Sequence, residues 1–363
     1  MTDTGAMLRA AREDAGLSLS EVAARTHYTR GHLSNVETGK RVASPDVVLA
    51  YERVLGEDMD RGRRGLLAGI AASAIAPAAT AELIRKGFAA AIGERPSLEE
   101  WQRRVEAYGR DYMTVGAGEL QARLAGDLVV LQQQLDGPER WSLAARLLAL
   151  YAKTTPGAEN SSRWYNLAVV AADRSGDPSS RVWVRGRAAL AMAYEGKGLS
   201  TAGRLAREAT ALSDRPSLGR LNAVVALAHV SGARGDQETA YQMLEEAKGL
   251  FDTVGSSEQI SDYAIPEWRM NTFTSMLLSR MGDERGAVAA QEAADRTRPA
   301  TLPRFATHIQ MHRGLMMARA GDVSGGIAFA RKAMAKLPPN RQSLTLQLLM
   351  TEVEQAAMTR PDR

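Results

Sequence analysis

His308 and His312 stand four residues apart, a spacing that puts two imidazoles on one helix face as metal-binding pairs require. The run HIQMH, however, lacks the glutamate of a zinc-protease motif. The chain contains no cysteine, which removes thiolate ligands and thiol nucleophiles and suits a reducing, cytoplasmic setting. Gly116-Ala117-Gly118 and Gly325-Gly326 fall at helix junctions with no strand before them, so neither reads as a phosphate loop, and no serine sits in a nucleophile elbow. The expectation is no enzyme, no metal and no cofactor.

What remains is recognition chemistry. Arg30, Gly31, His32, Ser34 and Asn35 form a small, polar run that can approach base edges closely and offer them donors and acceptors. Lys40 and Arg41 follow, placed for flanking phosphates. Ser18 and Thr29 are N-cap candidates for the two helices around that run, and Ser18 with its adjacent backbone amides can also face a phosphate. A second set recurs farther along: Asn222, Val225 and His229, then Arg269, Thr272, Met276 and Arg280, then His308, Met311 and Leu315. Arg185 and Met192 extend it, with the register open by one residue. Asparagine pairs donor and acceptor with an extended peptide, arginine forks a carboxylate, and methionine makes adaptable walls. The set fits a groove for a short peptide whose acidic side chain or free C-terminus faces Arg269 and Arg280; ordinary packed or solvated helix positions are the alternative.

These residues need helices to position them. The chain has 363 residues, 45% of them apolar, 24% charged and 5% aromatic, with net charge +4. That composition suits a soluble globular protein of two or three domains, rich in helix formers and permissive of nucleic-acid binding. Within residues 1–56, Ser18 opens a short helix, Thr29 opens another closed by Gly39, and Pro45 opens a third closed by Gly56. Seven Lys/Arg balance seven Asp/Glu there, so affinity for DNA would rest on local charge and on dimerisation. The start MTDTGAMLRAAREDAG lacks the apolar core of a secretory signal.

Residues 57–96 read as a joint. Arg63-Arg64-Gly65 followed by LLAGIAASAIAPAATA looks like a twin-arginine export signal, yet it is short, Ala-rich and interrupted by Pro77. A small-residue connecting helix is the preferred reading, with no membrane span.

Residues 97–363 repeat. Corners at Gly176-Asp177, Gly196-Lys197-Gly198, Gly235-Asp236, Gly282-Asp283 and Gly321-Asp322 divide helical segments, the later ones recurring about every 40 residues. Small residues precede and follow the last three corners at fixed offsets: Ala228, Ser275 and Gly314 before them, then Ala240, Ala287 and Gly326. They would let antiparallel helices approach closely. The expected hairpins are 138–175, 178–213, 217–252, 262–297 and 303–337, with a helix pair at 97–135 before them and a closing helix at 340–358.

The run GLSLSEVAARTHYTRGHLSNVETGKRVASPDVVLAYERVLG resembles the XRE family of phage-repressor-like helix-turn-helix domains over residues 5–56. The resemblance implies that Arg12 pairs with Glu37 to hold the first and recognition helices in register. Leu19 stands where the family often has a glutamine that touches the DNA backbone. The repeats over 138–338 are similar to tetratricopeptide repeats in degenerate form. The fold class expected is therefore all-α, a helix-turn-helix domain followed by a tetratricopeptide-like α-solenoid. That order of domains resembles the RRNPP group of peptide-sensing quorum regulators, which implies a homodimer on an inverted-repeat operator in double-stranded DNA and a short peptide that changes DNA binding. A repeat-based regulator that binds another protein, and a constitutive dimeric repressor, are the alternatives.

Overall fold

The computed structural model describes residues 17–41, 95–155 and 158–356, together with single positions 5, 8, 9, 12, 13, 47, 50, 51, 54, 87 and 93. The Ala-rich stretch 63–81 lies outside the described residues, as does most of the 57–96 joint. Among the described residues all regular structure is helical. The chain divides into two compact units, Met1–Thr80 and Ala81–Arg363, the division falling inside the stretch read as a joint.

In the first unit α1 (Leu19–Ala24) and α2 (Arg30–Glu37) form the turn-linked pair. Both begin where their sequence dictates. Glu21 N–H donates to the Ser18 hydroxyl and Ser18 N–H donates back to the Glu21 carboxylate, at 3.2 and 2.7 Å, a reciprocal capping box. The Thr29 hydroxyl accepts from His32 N–H at 3.2 Å. Beyond α2 the chain turns at Gly39, whose φ of 70° is open to glycine and costly for other residues. Val22, Leu33, Val36, Val47, Tyr51 and Val54 close a small core beneath the two helices.

The second unit is a run of helical hairpins. Its helices are α3 (Leu98–Thr114) with α4 (Ala117–Leu131), α5 (Pro138–Thr154) with α6 (Ala158–Ser175), α7 (Pro178–Glu195) with α8 (Leu199–Leu212), α9 (Leu218–Ala233) with α10 (Gln237–Val254), α11 (Glu267–Met281) with α12 (Glu284–Thr297), and α13 (Pro303–Ala320) with α14 (Val323–Ala335). Helix α15 (Leu344–Gln355) ends the series. The pairing follows the sequence repeat, and the corners supply its local cause. Gly235, Gly282 and Gly321 take positive φ, and the next residue caps the following helix: Asp236 accepts from Thr239 N–H, Asp283 from Gly286 N–H and Asp322 from Gly325 N–H. One glycine stops a helix and one aspartate starts the next.

Small residues set the spacing between helices. Ala228, Ser275, Ala240 and Ala287 are fully buried. Gly314 and Gly326 face each other so closely that a Cβ on Gly326 would lie 2.5 Å from the Gly314 carbonyl oxygen. The tightest approach joins α7 to α9, where a Cβ on Gly186 would stand 2.1 Å from the Gly219 carbonyl oxygen. Neither backbone can yield without shifting its helix. Gly186→Ala should therefore cost about 1–3 kcal/mol or more through overpacking, despite the better helix propensity of alanine. Urea unfolding of the full chain followed by tryptophan fluorescence checks this, and an unchanged midpoint would show that α7 and α9 are not in register as described.

Candidate functional site

The first candidate surface is α2. Its inward side carries Leu33 and Val36, both fully enclosed, and Glu37, 4% exposed. Glu37 is held by a fork: Arg12 Nε donates to Oε1 at 2.7 Å and Nη2 to Oε2 at 2.8 Å. Arg12 Nη1 also donates to the Leu17 carbonyl, and Tyr51 donates its hydroxyl to Glu37 Oε1, each at 2.7 Å. The Glu37 hydrogen bond raises the Arg12 pKa against the effect of burial, and burial followed by the Glu37 contact raises that of Tyr51. This buried, bidentate pair is the one the resemblance implied, and it fixes which side of α2 faces outward.

Thr29, Arg30, Gly31, Asn35, Lys40 and Arg41 are exposed on that outer side, with His32 and Ser34 half-buried. Ser18 is exposed at the start of α1. Tyr28 stacks on the His32 ring with centroids 5.0 Å apart. Arg41 N–H donates to the Asn35 carbonyl at 2.9 Å, tying the turn after α2 to its last residues. A Cβ on Gly31 would meet none of the described residues within 4 Å, so their packing does not call for glycine there. Leu19 is half-buried against the small core rather than offered outward as a polar contact.

Residues 3–64 match the family model of a helix-turn-helix domain. A domain of this kind marks a DNA-binding regulator. No curated protein and no solved structure matches the chain. No helix among the described residues is long and apolar enough to cross a membrane.

The second candidate site lies in the hairpin unit. Of the groove residues read from the sequence, Arg269, Thr272 and His308 line one cavity of about 60 Å³. Arg280 lines another, about 300 Å³, beside Arg319 and Glu352. Val225, Met276, Met311 and Leu315 are enclosed in the hydrophobic core. Asn222 is buried and donates to the Leu218 carbonyl of its own helix, and His229 Nε2 lies 3.1 Å from the Phe273 carbonyl oxygen. The structure thus brings three of these residues together and distributes the rest through the packing. Of the two further positions, Arg185 forks Asp173 and also donates to Glu208, while Met192 is buried in the core.

Both arginines expected to face a ligand carboxylate already hold groups of the chain. Arg280 donates Nε and Nη2 to Glu352 at 2.9 and 2.8 Å, and Nη1 and Nη2 to the carbonyls of Ala193 and Tyr194. Arg269 Nη1 donates to the Ser261, Asp262 and Ala264 carbonyls, and Nη2 to the Asp262 carboxylate. The two histidines on one face of α13 are also engaged: the Tyr194 hydroxyl lies 3.3 Å from His308 Nδ1 and 2.8 Å from His312 Nε2, and Ser275 Oγ lies 2.9 Å from His312 Nδ1.

Asp262 is the group sequence reasoning missed. It sits in the loop between α10 and α11, 3% exposed, and its carboxylate accepts from Lys153, Arg187 and Arg269. Burial alone would raise its pKa, but the charges of Arg187, Lys153 and Arg269 overcome this and hold it far below the usual range. Burial, reinforced by Arg187, pushes Lys153 well down. The sequence does carry one signal: the interval from Gly235 to Gly282 is longer than its neighbours, and the extra residues form this loop.

Two predictions follow from these networks. Arg12→Ala strands a buried glutamate and should cost the first unit about 3–5 kcal/mol; amide exchange across residues 17–41 of the full chain should accelerate while exchange in the hairpins holds. The pKa values of His229 and His308 are lowered to about 3, chiefly by burial and next by the charges of Arg280 and Arg304 respectively. Both are therefore neutral in the fold, whereas the unfolded chain takes up their protons below about pH 6.5. The unfolded state then binds more protons, so stability is full above that pH and falls as pH drops toward 3, by about 1.4 kcal/mol per histidine per pH unit. Thermal melts between about pH 7.5 and about pH 5 read that slope, and His308→Gln should reduce it.

Proposed function

We propose that the chain is a DNA-binding transcription regulator that inserts α2 into the major groove and uses its hairpin unit to dimerise and to sense a ligand, a short peptide with an acidic end. The observation that carries the DNA reading is the outer face of α2, where Arg30, Gly31 and Asn35 stand clear of the unit's packing while Leu33, Val36 and Glu37 lock the opposite side. Asn35 offers a donor and acceptor suited to adenine, and Arg30 a fork suited to guanine. Lys40, Arg41, Thr29 and Ser18 are placed for phosphates, with His32 and Ser34 between them. Gly31 leaves room for the helix backbone to approach the duplex.

Two-fold symmetric recognition is the ordinary solution for a domain of this size and balanced charge, which supports a homodimer on an inverted repeat. A ligand that binds one arrangement of such a dimer better than another would shift its DNA affinity. Leu167 and Val170, exposed on α6, favour a second reading in which the hairpins bind another protein.

Selection of random duplexes by the full-length protein tests the DNA reading. Enrichment of an inverted repeat, lost in Arg30→Ala and in Asn35→Ala with the helical signal unchanged, is the expected result; equal enrichment by the variants would place recognition elsewhere. Gly31→Ala separates function from stability. It should stabilise α2 by about 0.5–1 kcal/mol, since helix propensity improves and nothing obstructs the methyl. Its operator affinity, read by fluorescence anisotropy, should nonetheless fall.

A further inference from the structure

The cavity lined by Arg269, Thr272 and His308 also takes Lys153, Arg187 and Arg304 into its wall, along with Glu195 and the aromatic side chains of Tyr112, Trp268 and Phe305. Its charges do not balance. Lys153, Arg187, Arg269 and Arg304 face two carboxylates, Glu195 in the wall and Asp262, which Lys153, Arg187 and Arg269 share. Arg304 spends one hydrogen bond on the Tyr112 carbonyl and otherwise lies over the Tyr112 and Phe305 rings. Arg187, 5% exposed, donates Nη2 to Asp262, and its Nε is buried with no hydrogen-bond partner. A buried guanidinium with an unmet donor in a site of excess positive charge is costly unless an anion answers it.

We propose that this cavity is a receptor for a small oxyanion of about two negative charges, held by Arg187 and Arg304 with Lys153 beside them. The volume admits a few water molecules or a group of similar size, so a larger ligand would leave only its charged end here. The aromatic wall would then meet the first apolar atoms behind that end. Phosphoryl groups and paired carboxylates, such as an acidic residue at a free peptide C-terminus, share this chemistry. The inference deepens the ligand-sensing part of the proposed function and rests on that reading for its regulatory meaning, though not for binding itself.

Calorimetry and thermal melting of the full chain provide the test. The probes are inorganic phosphate, the dipeptide Phe-Glu as free acid, the same dipeptide as its C-terminal amide, and sodium perchlorate at matched ionic strength. Phosphate, the free acid or both should bind at one site and raise the melting temperature, whereas the amide and perchlorate should do neither. Which of the two binds more tightly distinguishes a phosphoryl ligand from a peptide end. Arg187→Gln should weaken binding at least tenfold, because it removes the guanidinium charge, while its amide can still donate to Asp262; Arg187→Lys and Arg304→Gln should each weaken binding without unfolding the chain. Equal shifts with perchlorate, or unchanged affinity in all three variants, would overturn the oxyanion site. If the anion binds as expected and operator affinity stays constant, the site stands and the sensing function fails.

Discussion

A helix enclosed by its neighbours can retain a charged side chain only where the interior supplies an opposite charge or a carbonyl. Helices α7, α11 and α13 are under that constraint: Arg187, Arg269, Arg280 and Arg304 are all buried. Much of the hairpin unit is arranged around answering them. The loop before α11 descends to bring Asp262 between Lys153, Arg187 and Arg269, and its backbone is pinned where Asp262 N–H donates to the Gly109 carbonyl at 2.8 Å. Helix α15 brings Glu352 to Arg280. One cavity lies among Lys153, Arg187, Arg269 and Arg304.

The same constraint separates what the sequence makes legible from what it hides. The hairpin boundaries could be read because their causes are local: a glycine free to take positive φ, then an aspartate whose side chain caps the next turn. The small residues flanking each corner were legible for the same reason, since close helix approach leaves few alternatives to Gly, Ala and Ser. The inner lining was not. A helix buried on several sides has no single polar stripe, so counting back from the corners grouped core residues such as Met276 and Met311 with cavity residues such as Thr272 and His308. Lys153, Arg187 and Arg304 come from three different helices, and only the packing brings them together.

The N-terminal unit shows the converse. Ser18, Thr29 and Gly39 define its two helices by short-range chemistry, and Arg12 and Glu37 meet across 25 positions in a geometry that few other residue pairs could satisfy. The motif therefore specifies both the elements and the contact that orients them. Gly31 is legible for another reason, as a residue whose absence of a side chain serves no neighbour among the described residues of its unit.

Stacked hairpins that touch only their immediate neighbours unfold piecemeal, from the ends inward. This unit has connections that bypass that order. Arg304 at the start of α13 reaches the Tyr112 carbonyl in α3, Lys153 at the end of α5 holds the loop before α11, and Thr345 in α15 donates to Glu195 in α7 at 2.8 Å. Met113, Trp268 and Leu302 pack together from equally distant parts of the chain. Such ties make terminal fraying cost contacts at the centre, so the hairpins should behave as one cooperative block. A bound group gripped at that centre would then be felt at both ends of the block at once, without a sequential path from one repeat to the next.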